Sequence, residues 1–121
     1  MIKFKSLNQS KEFLKILKKK RLNTKYFTIY FDKNLDNIKK SDKKNLNINF
    51  VMKKNIGNAV KRNKMKRKLK ATIQKILKEK KTIDLNYTYI IFGKKNIYKD
   101  KFQLIFDEVN DIFKRIKQIA S

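Results

Sequence analysis

The chain has 121 residues, with 34 lysines and arginines, 10 aspartates and glutamates and no histidine, which gives a formal net charge of +24. This excess lies far outside the composition of ordinary soluble domains, and self-repulsion of this size disfavours a compact state unless a polyanion neutralises it. Nucleic acid is therefore the first class of partner to consider, and an anionic membrane surface is the second.

The absent residue types exclude several kinds of chemistry. Without cysteine or histidine, the chain can form no disulfide, thiol nucleophile, imidazole base or ordinary zinc site. The N-terminus lacks the apolar stretch of a signal peptide, and no apolar run approaches the roughly 20 residues of a membrane span. Because 40% of the residues are hydrophobic, we expect a folded, soluble cytoplasmic protein rather than a disordered one.

Two strands and a short helix are predicted in the first half. Phe13 and Leu17 lie four residues apart, which predicts a helix over about residues 8–20. Residues 25–32 alternate like a strand, with Phe27, Ile29 and Phe31 on one face and Tyr26, Thr28 and Tyr30 on the other. A polar stretch, residues 33–45, predicts a mobile loop, and residues 46–52 alternate as a second strand.

Two longer helices dominate the second half. Gly57 is expected to take a special backbone angle, and a helix over about residues 58–78 should follow. Residues 87–92 predict a strand, and residues 100–118 predict an amphipathic helix. Its apolar stripe comprises Phe102, Ile105, Phe106, Val109, Ile112, Phe113 and Ile116. The order helix, strand, strand, helix, strand, helix predicts one α+β domain over residues 1–121, with helices against a small mixed sheet.

Residues 53–81 carry the strongest functional signal, with 13 of the 34 basic residues and one acid, Glu79. At about 100° per residue, Met65, Leu69, Ile73 and Ile76 form one stripe, which we expect to face the core. Asn63, Arg67, Lys70 and Gln74 form a second, polar stripe. Arg62 and Arg67 are two of only four arginines in the chain, and the guanidinium fork suits phosphate better than an ammonium does.

The sequence from Gly57 to Lys70 resembles the signature of the bacterial ribonuclease P protein subunit. That family carries an Arg-Asn-x-x-Lys-Arg core, matched here from Arg62 to Arg67, and often a preceding Gly-Asn-Ala-Val, which begins here at Gly57. The resemblance extends over nearly the whole chain in length, basicity, element order and motif position. It implies a single RNA-binding domain and a left-handed βαβ crossover around the motif helix, as in a ribosomal protein, although general rules favour the opposite hand.

The resemblance also implies a function and its partners. The chain would be a subunit of a ribozyme whose RNA uses Mg²⁺ to hydrolyse pre-transfer-RNA and release its 5′ leader. The protein would bind that RNA, most simply one to one, and the leader, with no catalytic residue, bound metal or cofactor of its own. The implied contacts with the catalytic RNA are Lys54, Asn58, Lys61, Arg62, Asn63, Lys66, Arg67 and Lys70.

A second surface, for the leader, is expected on the sheet. Tyr26 and Tyr30 are spaced to stack bases of a single strand, which contributes about 1–3 kcal/mol per base without strong sequence preference. By position, the family's leader cleft maps to Phe13, Leu17, Tyr30, Val51 and Lys53.

Three other functions are open at this point. A ribosomal or other small RNA-binding protein would share the charge and the α+β class but not the Arg-Asn-x-x-Lys-Arg pattern. A metal-dependent nuclease would need carboxylates, and Asp107, Glu108 and Asp111 are clustered in the sequence. Because they flank the apolar stripe of the last helix, we interpret them as its solvated side. A membrane-surface binder would need free apolar residues on a basic helix, and the apolar stripes are assigned to the core.

Overall fold

The predicted strands assemble into one mixed sheet in the computed structural model, which describes residues 2–6, 10–34 and 45–120. The strands are β1 (Lys3–Lys5), β2 (Lys20–Asn23), β3 (Phe27–Lys33), β4 (Asn45–Val51) and β5 (Tyr87–Gly93). Their order across the sheet is β1-β4-β5-β3-β2. Strand β4 is parallel to β1 and β5, whereas β3 is antiparallel to β5 and β2.

Four helices accompany the sheet in the described residues. They are α1 (Ser10–Leu17), α2 (Ala59–Glu79), α3 (Asn96–Lys99) and α4 (Phe102–Ala120), and a 3-10 turn over Lys54–Ile56 precedes α2. None of them combines the length and apolar content that a membrane span requires. The α+β class and the mixed sheet are as predicted.

The main core lies between one face of the sheet, here called the inner face, and helices α2 and α4. Ile29, Ile48 and Ile91 project from this face into the same cluster as the α2 stripe of Met65, Leu69, Ile73 and Ile76. All four residues of that stripe are fully buried, as predicted. In the α4 stripe, six residues are buried and Phe102 packs at the edge.

The opposite, outer face of the sheet is partly covered by α1. This helix packs against β2, β3 and β5, and Ile16 and Ile90 are buried there, outside the main core cluster. Tyr30 is paired with Ile90, and Thr28 is paired with Phe92, so all four share this face. Helices α1 and α2 therefore lie on opposite faces of one sheet.

That arrangement requires two crossovers of opposite hand. Strands β1, β4 and β5 are parallel to one another, and β3 is antiparallel to both β5 and β2. Strands β1 and β2 are therefore parallel. The β1–α1–β2 and β4–α2–β5 connections both move in the same direction across the sheet, but on opposite faces. One of them must be left-handed, against the general preference. The resemblance assigns that hand to β4–α2–β5, and this assignment stays a prediction.

Several local predictions were wrong. The first helix ends at Leu17 rather than Lys20, because the basic run that follows enters β2. Strands β1 and β2 and helix α3, of three or four residues each, were not predicted, because such short elements show no periodicity.

The loop and Gly57 predictions also change. Residues 35–44 of the predicted mobile loop lie outside the described residues, whereas Lys33 ends β3 and Asn45 begins β4. Gly57 has φ 163°, which is extended backbone open to any residue, so no special angle is needed there.

Candidate nucleic-acid interface

The side chain of Asn58 caps the start of helix α2. Asn58 has extended backbone angles, and its Oδ1 accepts a hydrogen bond from the Lys61 backbone N–H at 2.9 Å. Asparagine is among the preferred residues at this position because it satisfies a donor that the helix leaves free. Asn58 therefore has a structural role, and its exposed amide nitrogen can still donate to a ligand.

The second stripe of α2, here called the exposed stripe, faces solvent along four helical positions. Asn63, Arg67, Lys70 and Gln74 are all exposed. The ammonium of Lys70 lies 5.9 Å from the ring centroid of Phe50 on β4, so the stripe borders the β4 side of the sheet. Two cations and two amides stand there with no acidic neighbour on the helix before Glu79.

Arg62 and Lys66 lie between the exposed stripe and the core and are half-buried. The Arg62 Nε is shielded from solvent and has no hydrogen-bond partner among the described residues. A buried donor without an acceptor costs free energy. An incoming anion that reorders this guanidinium would supply the missing acceptor and remove that cost.

The opposite flank of α2 carries three lysines seven residues apart, here called the anchored lysines, whose ammonium groups contact the chain itself. Lys61 Nζ lies 4.8 Å from the Tyr98 ring centroid, and Lys75 Nζ lies 5.1 Å from that of Phe106. Between them, Lys68 Nζ donates to the backbone carbonyl of Asp100. Burial of the apolar stripe sets the rotation of α2 about its axis, and because the anchored lysines lie toward α3 and α4, the exposed stripe faces away from α4.

Lys61 was predicted to bind RNA, and the structure places it among the anchored lysines instead of on the exposed stripe. Lys54, in the 3-10 turn, is exposed close to the start of α2. The turn does not interrupt the basic surface, because Lys53 before it is exposed as well.

Three of the six predicted leader residues, Tyr30, Val51 and Lys53, come together around Phe92 on the outer face. The Tyr30 ring meets the Phe92 ring edge to face, with centroids 5.6 Å apart, and Val51 is paired with Phe92 across β4 and β5. Lys53 Nζ lies 5.6 Å from the Phe92 centroid. We call these four residues the aromatic groove.

Phe13 and Leu17 lie on α1, which packs against β3 and β5 on the same face, and both are half-buried. Phe92 was missing from the predicted site, although its alternation with Ile90 and Thr88 in the predicted strand places it on this face.

The prediction that Tyr26 shares the face of Thr28 and Tyr30 was wrong. Strand β3 begins at Phe27, so Tyr26 lies in the preceding turn, and only 3% of its surface is exposed. Its hydroxyl donates to Asp100 Oδ2 at 2.6 Å. Burial and this hydrogen bond raise the pKa of Tyr26 to about 12. Its ring is therefore committed to the core and cannot stack on a base.

The charge of the described residues is almost uncompensated. Lys25 and Asp100, with 3.4 Å between Nζ and Oδ2, form the one ion pair found in those ranges. Those ranges also contain no cluster of three or more acidic side chains arranged to hold a metal ion. Cations without carboxylate partners produce a strong positive potential, which attracts a polyanion and is screened by salt.

Comparison with known proteins finds relatives described as ribonuclease P protein components. A family model described as Ribonuclease P matches residues 1–117. The ribonuclease P protein component of Carboxydothermus hydrogenoformans is 29% identical over 119 residues, covering 98% of this chain and 96% of that protein. The component from Mesomycoplasma hyopneumoniae is 32% identical over 119 residues, covering 98% and 97%.

Solved structures agree in fold. The RNase P protein from Thermotoga maritima superposes with a TM-score of 0.70 at 22% identity, covering 92% of this chain and 96% of that one. A Staphylococcus aureus RNase P protein mutant with defective mRNA degradation activity gives a TM-score of 0.73 at 21% identity, covering 93% and 87%. At these identities the likeness establishes the α+β fold, and the match over residues 1–117 establishes the family. The chain belongs to the ribonuclease P protein family.

Proposed function

We propose that this chain is the RNase P subunit that binds the catalytic RNA along α2 and the 5′ leader of pre-transfer-RNA in the aromatic groove. The observation that carries the proposal is the division of the α2 cations between two flanks. Lys61 and Lys68 are half-buried against the Tyr98 ring and the Asp100 carbonyl, whereas Arg67 and Lys70 are exposed, with the Phe50 ring centroid 5.9 Å from Lys70 Nζ.

The catalytic RNA meets the start of α2 and its exposed stripe. Arg62 and Arg67 offer forks that bind phosphate through two parallel hydrogen bonds, and Asn63 offers an amide that can donate to a base or accept from a 2′-hydroxyl. Lys54, Lys66 and Lys70 add charge around them. Asn58 contributes through the helix cap, and Lys61 contributes positive charge beside the start of α2, with its ammonium next to the Tyr98 ring.

The leader lies in the aromatic groove. Bases stack on Tyr30 and Phe92, a contact of about 1–3 kcal/mol per base that tolerates any sequence. The ammonium of Lys53 pairs with the backbone of the single strand, and Phe13, Leu17 and Val51 form the apolar walls. Tyr26 is left out because it is buried.

The protein contributes affinity, and the RNA performs the hydrolysis. Mg²⁺ serves the RNA, and the chain itself supplies no catalytic group, metal ligand or cofactor site. One protein molecule binds one RNA, and its positive potential lowers the Mg²⁺ concentration that the folded complex requires.

The first test is cleavage of pre-transfer-RNA at low Mg²⁺ by a bacterial RNase P RNA, with and without this protein. We expect stimulation, greatest for substrates with a leader. No stimulation would refute the proposal, and cleavage by the protein alone would refute the assignment of catalysis to RNA. Equal affinity for ribosomal RNA fragments would favour a general RNA-binding protein.

A second test separates the exposed stripe from the general charge. Arg67→Ala removes an exposed arginine of α2, and Arg115→Ala removes an exposed arginine of α4 as its control. Because one phosphate contact contributes about 0.7–0.9 to the slope of log affinity against log salt, we expect Arg67→Ala to lower that slope by this amount. Equal effects of both variants would show that only net charge matters.

A further inference from the structure

We propose that the leader site continues from the aromatic groove along β4, where Asn45 and Asn47, with Lys3 and Lys5 of β1, bind leader nucleotides farther from the cleavage site through their base edges and phosphates. This inference rests on the proposed function, because it extends the same single-stranded RNA across the outer face. We call these four residues the amide track.

Alternation along β4 fixes the direction of the amide track. Leu46 and Ile48 are 0% and 1% exposed in the main core, so the side chains between and beside them point to the outer face. Asn45, Asn47 and Asn49 therefore follow Val51 in one row on that face. All three are half-buried, so each residue keeps some accessible surface.

Strand β1 adds cations next to this row. Lys3 is paired with Asn45 and Lys5 with Asn47, and both lysines are exposed. Paired residues on neighbouring strands share a face, so each amide has an ammonium beside it. Asp32 is the one acidic strand residue on the outer face among the described residues, and it lies two strands from Asn47, across Thr88.

Among residues 2–6, 10–34 and 45–120, helix α1 packs mainly beside the amide track rather than over it. It packs against β2, β3 and β5, whereas the track runs along β4 and β1 on the other side of β5. This strip has Val51 and Lys53 at one end and Asn45 at the other, a span of about 26 Å at roughly 3.3 Å per residue. A single strand several nucleotides long fits that span.

The geometry also gives the direction of the RNA. Strand β4 continues through Lys53 and the 3-10 turn directly into the start of α2, so the end of the strip at Lys53 lies nearest the motif that binds catalytic RNA. The end at Asn45 is the more distant one. Leader nucleotides near the cleavage site should stack on Tyr30 and Phe92, and the next ones should reach Asn47 and then Asn45.

The chemistry of the two parts differs. An asparagine amide presents a donor and an acceptor side by side, which matches the edge of a base and does not offer a surface for stacking. The aromatic groove should therefore accept any base, whereas the amide track should depend on the presence of a base and on its identity. The lysines beside it should add a salt-dependent contact with phosphate.

The test uses the holoenzyme reconstituted with a bacterial RNase P RNA and pre-transfer-RNAs with a short leader, a long leader, and a long leader that is abasic in its distal part. Dissociation constants are measured for the wild type and for the Asn45→Ala/Asn47→Ala variant, and circular dichroism checks folding. Gln103→Ala, which removes an exposed amide on α4, is the control, and Tyr30→Ala probes the aromatic groove.

We expect the double variant to lower the ratio of long-leader to short-leader affinity by about fivefold for each amide that loses a hydrogen bond, and we expect the abasic leader to remove the difference from the wild type. Lys3→Gln/Lys5→Gln should reduce the salt dependence of long-leader binding, and Lys114→Gln on α4 should not.

Three results would count against this extension. If the double variant matches the wild type with every leader while Tyr30→Ala is weaker, the amide track is wrong and the proposed function stands. If the double variant weakens all substrates and mature transfer RNA equally, it does not act on the leader, and the amide track is also wrong. If the wild-type holoenzyme shows no dependence on the leader, the proposed function fails with it.

Discussion

Gly93, at the end of β5, is a position where one added methyl group should destabilise the protein. A Cβ there would overlap Met52 Sδ and lie 2.7 Å from Met52 Cε and 3.2 Å from Ile97 Cδ1. Met52 and Ile97 are 6% and 0% exposed, so neither can move into solvent. Overpacking of this kind costs about 1–3 kcal/mol. For Gly93→Ala we expect a loss of about 2 kcal/mol in the free energy of unfolding, or roughly 8 °C in Tm for a chain of this length.

The assay is urea denaturation followed by circular dichroism, with a rescue variant and a control. Met52→Ala alone should cost about 2–5 kcal/mol through the cavity it leaves, but the methyl of Gly93→Ala partly fills that cavity, so the two losses should not add. The control is Gly57→Ala, because the Cβ would meet Lys61 Cδ at 2.7 Å and the lysine chain can move.

Gly93→Ala should also affect the aromatic groove. Met52 lies between Val51 and Lys53 in the sequence, so its displacement should weaken binding of substrates with a leader. Additive losses in the double variant, or an unchanged unfolding curve for Gly93→Ala, would refute the reasoning.

Three further perturbations test the local structure. Lys81 has φ 51°, so Lys81→Gly should raise the unfolding free energy by about 1 kcal/mol in urea denaturation. Asn58→Ala should cost about 1 kcal/mol as a lost helix cap, whereas Asn58→Asp should keep the stability and weaken RNA binding in a filter assay. The Tyr26 hydroxyl holds the pKa of Asp100 below its usual value, so this carboxylate stabilises the fold above its unfolded pKa, about 3.9, and the contribution is lost as the pH falls through the lower folded pKa. Tyr26→Phe should therefore show a smaller loss of stability between neutral and acid pH in thermal melts, and an equal loss would contradict the Tyr26–Asp100 assignment.

Periodic apolar patterns made the larger elements predictable. Met65, Leu69, Ile73 and Ile76 reach the core as the 3.6-residue spacing requires, and the alternation of Ile29 and Phe31 defines β3 with its inner face. These patterns succeed because burial of one stripe or face dominates the energy of each element.

The candidate site was less predictable, because its shape depends on contacts between distant segments. The sequence does not distinguish Lys61 from the other lysines of the motif, because its contact with Tyr98 depends on the position of α3. The alternation of residues 25–32 predicts that Tyr26 is a strand residue. In the structure, its hydroxyl donates a hydrogen bond to Asp100, which is 74 positions away in the sequence. Neither contact follows from a periodic pattern, because its two partners lie far apart in the sequence. The many lysines of the basic surface also make it hard to predict which one forms a given contact.

The opposite hands of the two crossovers determine which nucleic-acid surfaces the sheet can offer. If the β4–α2–β5 connection passed on the other side of the sheet, α2 would lie over Val51 and Phe92, and no single strand could enter. Because α2 passes behind the sheet, Val51 and Phe92 stay open and the motif helix stands on the reverse side. Under the proposed function, the leader and the catalytic RNA would occupy opposite faces and would not compete for space, with the thickness of one sheet between them.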